Sequence, residues 1–332
     1  MAHRFLISRF AVLTLMTTLL PATSSTVAAQ SSKSQTVKAS ISRTPDGQPD
    51  LQGVWSFATI TPLERPAELA GKEFFTEKEA ADYEAEIRTR NNMDRRDGSA
   101  EADVGRAYND FWWDRGTKIV KTRRTSLVID PADGKIPALT AAGKERQTER
   151  QAANRGKEFD GPENRPLAER CIIWASTGPP MLPTAYNNNI RILQSPGYVT
   201  ILVEMIHDIR VIPLDNRPRL SQDVRQLKGD SRGHWEGDTL VVETANFTNK
   251  TAFRGASENM RLTERFKRLD AGTLLYQFTV NDPETFTKPW TVEIPVTRSE
   301  GPMFEYACHE GNYAMTGGLA GARAAEGKQV QR

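Results

Sequence analysis

From residue 190 onward, apolar and polar positions alternate in short runs separated by tight-turn residues. IRILQ leads through Ser195-Pro196-Gly197 into YVTILVEMIHDIRVIPL, and HWEGDTLVVETANF turns at Glu236-Gly237-Asp238. RLTERFKRLDAGTLLYQFTV turns at Asp270-Ala271-Gly272, and WTVEIPVTR reaches MFEYACHE through Ser299-Glu300-Gly301. Strand, tight turn and strand without helices between them predict an antiparallel sheet. Closure of such a sheet into a barrel removes its edges. The expected fold is mostly β: an antiparallel barrel or strongly curved meander sheet with helical and long-loop insertions.

The upstream pattern differs. Order is expected to begin at Pro49-Asp50-Leu51-Gln52, with Gly53-Val54-Trp55 entering a first strand that closes one end of the barrel. There the glycine permits close backbone approach and the tryptophan fills the end. Thr76-Glu77-Lys78-Glu79 has the form of a capping box and predicts a helix to about Arg90. Residues 91–107 read as a polar loop, followed by the aromatic cluster Tyr108, Phe111, Trp112 and Trp113 with Arg115. KIVKTRRTSLVI is strand-like, Asp130-Pro131-Ala132-Asp133-Gly134 signals a turn, and a second helix is expected over about 141–155. Residues 156–189, with their GPPMLP run, read as an ordered loop.

The Gly53-Val54-Trp55 opening resembles the start of lipocalin-like barrels. The WEGDTLVVET and RLTERFKRLDAGTLLYQF meander is similar to lipocalin-like domains of exported bacterial proteins of unestablished activity. The resemblance runs from DLQGVW to YACHEGNY, about four fifths of the chain. It implies a cup-shaped barrel with a small-molecule cavity and carries over no catalytic residue. Two departures are the helical and loop material at 56–189 and a chain about twice the length of a bare eight-stranded barrel of this type. The organisation expected is a signal peptide at 1–29, a flexible leader at 30–48 and a single lipocalin-like β domain at 49–310. That domain carries an insertion at about 64–189, and a Gly- and Ala-rich tail follows at 311–332.

Arg4 and Arg9, the apolar run FAVLTLMTTLL and the small-residue exit Val27-Ala28-Ala29 predict a secretory signal cut before Gln30. The apolar run is too short to anchor stably in a bilayer, so the mature protein is expected in the periplasm or secreted, without stable membrane insertion. Loss of Arg4 and Arg9 brings the 44 basic residues down to the 42 of the acidic ones. A chain so balanced lacks the basic excess that nucleic-acid binding needs. Cys171 and Cys308, the two cysteines, predict one disulfide in an oxidising compartment. The long loop it closes is worth about 4–5 kcal/mol on the chain-entropy model.

Four histidines offer acid–base chemistry, and His3 is lost with the signal. If YVTILVEMIHDIRVIPL is one strand, His207 shares a face with Val199, Ile201, Val203, Met205, Ile209 and Val211, and so lies inside the barrel. Asp208 points to the other face. His234 falls at a sheet rim, and His309 beside Cys308 would be held by the disulfide. The catalytic candidates are therefore His207, His309 and His234, with His207 foremost for its place on the apolar face; histidine suits the role because its ordinary pKa lies near neutrality.

Tyr186 and Asn188 beside the Pro-rich loop, Tyr108 and Trp112 as an aromatic lid, and Arg123 as a cation are the candidate ligand contacts. The functional expectation is an exported enzyme performing cofactor-independent isomerisation, elimination or hydrolysis on a small, partly apolar or aromatic molecule. The alternatives are a non-catalytic lipocalin-like binding protein of the periplasm or a structural envelope protein. No cofactor is expected, since the chain has no glycine-rich phosphate loop, paired C-x-x-C or G-x-S-x-G elbow. Three histidines can hold a catalytic zinc, but no H-x-H or H-E-x-x-H spacing supports one, so no metal ligand is assigned. The expected partner is a small-molecule ligand or substrate, with the oligomeric state open.

Overall fold

The computed structural model describes residues 42–330 apart from 97, 105–108, 216 and 251–252. The expected signal peptide, most of the leader and Tyr108 lie outside the described residues. Ten strands form one sheet: β1 Gly53–Ser56, β2 Val128–Asp130, β3 Asn189–Ser195, β4 Tyr198–Val203, β5 Ile209–Pro213, β6 Asp230–Glu236, β7 Thr239–Ala245, β8 Arg261–Asp270, β9 Thr273–Asn281 and β10 Trp290–Arg298. Nine follow the path β5-β4-β3-β1-β10-β9-β8-β7-β6, each neighbour antiparallel, while β2 pairs β10 off the path. The result is the nearly closed antiparallel barrel with helical and loop insertions that the alternation predicts.

An odd number of strands alternating in direction leaves the two end strands running the same way. β5 and β6 therefore meet side by side without a backbone ladder, and side chains close the seam. Gly233 of β6 lies against Ile212 and Leu214, where a Cβ would come within 2.7 Å of Leu214. Lys228 pairs with Asp208 at one end of the seam, and Arg219 donates to the Asp230 carbonyl at 2.9 Å. Inside the barrel, Arg210 of β5 reaches Glu264 of β8 with two hydrogen bonds of 2.7 and 3.0 Å.

The inward positions follow the period-2 pattern. Leu262, Glu264 and Phe266 of β8 face in with Leu274, Tyr276, Phe278 and Val280 of β9 and Trp290, Val292, Ile294 and Val296 of β10. Trp55 is fully buried among them and donates from Nε1 to the Leu51 carbonyl at 2.9 Å. Gly53 takes φ of 134°, and the nearest group to a Cβ there would be the Arg298 guanidinium at 3.3 Å rather than backbone.

The two helices of the insertion match their sequence signals. α1 spans Glu77–Asn91 and starts at a capping box in which Thr76 accepts from Glu79 N while the Glu79 carboxylate accepts from Thr76 N. After the short α2, Ala100–Val104, α3 spans Ala141–Asn154 behind a Thr140 cap. Only Ala80, Glu84 and Ile87 of α1 are buried, packing beside a small apolar cluster of Phe75, Ala80 and Ile119 apart from the barrel core. The Gly- and Ala-rich tail holds a helix, α4, Tyr313–Val330.

Three expectations change. YVTILVEMIHDIRVIPL is two strands, because the chain reverses at Glu204–Asp208 through Ile206 and His207 at φ of 52° and 53°. The reversal shifts the inward set: Arg210 and Ile212 are buried, whereas Ile209 and Val211 are 59% and 55% exposed. MFEYACHE forms no strand; residues 302–307 are irregular and residues 308–311 turn. KIVKTRRTSLVI supplies only the short β2. In each case tertiary packing overrides a local apolar alternation.

Candidate ligand site at the barrel end

Asn189 of β3 and the β4–β5 reversal share one end of the barrel, since Ile190 pairs with Val203. Asn188, fully buried, organises that end. Its Oδ1 accepts from Thr184 N at 2.7 Å, and its Nδ2 donates to the Thr184 and Asp114 carbonyls at 2.9 and 2.6 Å. Its own carbonyl accepts from Phe57 N just beyond β1, and Asp114 N donates to the Ala185 carbonyl. Every polar side-chain atom of Asn188 is used within the protein. The residue expected to contact ligand instead clamps segment 110–117 to the barrel.

Glu204 is the second anchor. Buried, it accepts from Asn189 Nδ2 at 2.9 Å, from Asn189 N at 3.3 Å and from Phe304 N at 2.9 Å. The last of these pins the C-terminal segment across the β4–β5 reversal. The Cys171–Cys308 disulfide, with Cα atoms 5.8 Å apart, ties the same segment to the Pro-rich loop as the sequence predicts. Tyr306 then joins a chain of rings with Tyr186, Trp113 and Trp174, centroids 6.1–6.2 Å apart. Tyr186 thus packs against Trp113 at this end.

Between this end and α1 lies a cavity of about 400 Å³. Ile87, Arg88 and Asn91 of α1 with its C-cap Asn92 form one side, and Asp110 and Trp113 to Thr117, with Ile60, form the other. Glu84 holds the two sides together, accepting from Lys118 Nζ at 2.7 Å and from Ile119 N at 3.2 Å. Gly116 takes φ of 81° and passes so near Ala58 that a Cβ would sit 2.9 Å from its carbonyl carbon. No other residue type allows both that dihedral and that approach without displacement. The volume is within the range of small-molecule sites, and seven of the eleven lining residues are polar or charged, with Ile60, Ile87 and Trp113 as the apolar surface.

The polar groups are unevenly satisfied. The Arg115 guanidinium stacks on the Trp113 ring at 4.1 Å. Its Nε and Nη2, and Nε1 of Trp113, are buried without a hydrogen-bond partner among the described residues. A buried donor left unpaired costs about 1–3 kcal/mol. Burial lowers the Arg115 pKa, and the charge of Asp110 partly opposes the shift. Arg88 stands nearby with Glu84 at 4.0 Å, a carboxylate already engaged by Lys118. Asp114 remains exposed at the edge, yet desolvation of its carboxyl group raises its pKa. A hydrogen bond from Asn188 N opposes that rise, and the Glu204 charge adds to it.

The predicted histidines do not meet here. His207, expected inside the barrel, lies on the outside of the reversal with its side chain 42% exposed and Nε2 3.8 Å from Glu305. His234 is on β6, bonded to Glu236 at 3.2 Å, beside the β6–β7 turn at the opposite end of the barrel. His309 is exposed in the turn after Cys308. Among the described residues no three His, Cys, Asp or Glu side chains are grouped to hold a metal.

Trp112 is 61% exposed and stacks edge-on with Phe111, outside the cavity. Arg123, with φ of 59°, faces Glu77 at 3.6 Å and is likewise elsewhere. The cluster that the sequence displays contributes Trp113 and Arg115 rather than Trp112. The residues on the α1 side carried no signal, because Arg88, Asn91 and Asn92 at the end of a charged helix look like a solvated face.

Comparison with family models, curated proteins and solved structures returns no match to this chain. Among the described residues, no helix is long and apolar enough to cross a membrane.

Proposed function

We propose that this chain is a non-catalytic small-molecule binding protein of an extracytoplasmic compartment, with its ligand held in the cavity between α1 and segment 110–117. One observation carries the reading: a cavity of about 400 Å³ lined by Trp113 and Arg115, whose buried donors beside it have no protein acceptors. A binding site supplies those acceptors from its ligand. The Cys171–Cys308 disulfide and the signal-like N-terminal sequence support the location. The acid–base enzyme reading rested on a histidine inside the barrel, and His207 is outside it. Bound molecules leave unchanged, and no cofactor takes part.

The test is a small-molecule library screened by thermal shift and native mass spectrometry against the full chain, Asn91→Trp and His207→Asn. Asn91→Trp places an indole in the cavity. Ligands are expected to bind wild type and His207→Asn alike, to be lost on Asn91→Trp, and to be recovered intact. Conversion of a bound compound that stops on His207→Asn would overturn the proposal.

A further inference from the structure

We infer that the ligand of this cavity carries a carboxylate on an apolar or aromatic body, with Arg115 and Trp113 as its specificity-determining residues. The inference rests on the cavity reading above and goes further by assigning the chemical class. The unpartnered nitrogens of Arg115 are Nε and Nη2. These two lie on the same edge of the planar guanidinium, where their N–H bonds run parallel and match the two oxygens of a carboxylate. Trp113 adds a third unpartnered donor beneath the same guanidinium, which stacks on its ring at 4.1 Å. All three unpartnered groups are donors, so the group that satisfies them accepts only.

Arg88 supports the same sign of charge. It lines the cavity from α1, and its nearest carboxylate, Glu84 at 4.0 Å, is taken by Lys118 at 2.7 Å. Ile60 and Ile87 supply an apolar wall, which suits the body of the molecule rather than its charge. Asp110 and Asp114 line the cavity too and offset the two guanidinium charges, which disfavours a ligand with more than one negative charge. The class is thus a monoanionic carboxylate. The three unpartnered donors do not reach solvent in the free protein. Binding therefore requires the Arg115 guanidinium to swing off the Trp113 ring, which turns the Nε–Nη2 edge to the cavity and uncovers the indole N–H beneath it.

The probes are small aromatic carboxylates, each compared with its primary amide, its alcohol and the matching phosphate monoester. Affinities are measured by calorimetry on the full chain. The carboxylate is expected to bind at least about tenfold more tightly than the amide, and to lose that preference on Arg115→Gln. Arg115→Lys retains part of the preference as a point charge without the fork. Trp113→Phe, which removes one N–H and little volume, is expected to weaken the carboxylate about threefold to tenfold and leave the amide nearly unchanged. Near-UV circular dichroism checks that each variant is folded.

Equal binding of carboxylate and amide, or a preference unmoved by both Arg115→Gln and Trp113→Phe, overturns the assigned class. If Asn91→Trp still abolishes that binding, the cavity reading stands on its own. Binding that Asn91→Trp leaves intact, or no saturation by any probe at millimolar concentration, overturns both. A phosphate monoester preferred over the carboxylate replaces the class with a dianion.

Discussion

Asp114 at the site and Glu264 in the barrel core are two carboxylates whose surroundings make testable demands on stability. The Asp114 pKa is raised above its ordinary 3.8, so the folded state holds its proton more tightly than the unfolded chain does. Between those two values the unfolded state carries fewer protons, and stability falls as pH rises through that window. At neutral pH an ionised Asp114 is therefore a net cost. Asp114→Asn, which keeps an acceptor for Asn188 N, is expected to raise urea stability at pH 7. That gain should disappear below about pH 3.8. An equal gain at both pH values would mean that something other than the charge is responsible.

Glu264 sits in the core instead. It is fully buried, pairs with both Nη atoms of Arg210 and accepts from Tyr276 OH at 2.8 Å. Burial, and then the Glu264 charge, push the Tyr276 phenol well above its usual value, so it donates at any physiological pH. Glu264→Gln leaves Arg210 charged and under-paired in the core, a loss of about 3–5 kcal/mol by chemical denaturation. Replacing the pair together, Arg210→Met with Glu264→Leu, is expected to cost far less. A double variant as weak as the single one would show that the pair itself stabilises the seam.

At the level of elements, capping and turn chemistry were readable where the signal is local. Thr76 and Glu79 announce α1, and Asp270-Ala271-Gly272 announces the β8–β9 turn, where Gly272 N donates to Asp270 Oδ1 at 2.7 Å. The β4–β5 reversal was not readable. Glu204 to Asp208 contains no glycine, proline or asparagine, and it places β-branched Ile206 in the left-handed region, which such residues seldom occupy. What holds it there is non-local: Glu204 bonded to Asn189 and Phe304, Asp208 paired with Lys228, and Met205 fully buried.

The same reversal decides the position of His207, so the interior histidine inferred from alternation was an artefact of reading through a turn. His207→Asn is expected to change stability by no more than about 0.5 kcal/mol, since asparagine tolerates this backbone conformation and the side chain is largely exposed. A loss above about 2 kcal/mol in thermal or urea unfolding would place the imidazole in the core after all.

For the whole molecule, strand count and cross-links explain what the sheet alone does not. Nine alternating strands leave β5 and β6 parallel and unladdered, so closure falls to side chains and to segments far apart in sequence. The disulfide closes a separation of 137 residues and fixes the C-terminal segment over the ring cluster at the barrel end. Replacing both cysteines by serine is expected to cost about 2–5 kcal/mol in unfolding free energy and to loosen Tyr306 from Tyr186, with weaker ligand binding as the second readout. Unchanged stability and affinity would assign the disulfide no part in holding the site.

The barrel was legible in the alternation and the disulfide in the cysteine count. The cavity was only half legible, because its aromatic side is a visible cluster and its helical side is mostly polar. The binding account is tested most directly by the indole N–H signals of ¹⁵N-labelled protein titrated with a small aromatic carboxylate. The Trp113 signal, assigned through Trp113→Phe, is predicted to move downfield to saturation, while that of Trp55, which already donates to Leu51, stays in place. A Trp113 signal that stays fixed while the carboxylate saturates the protein would contradict it.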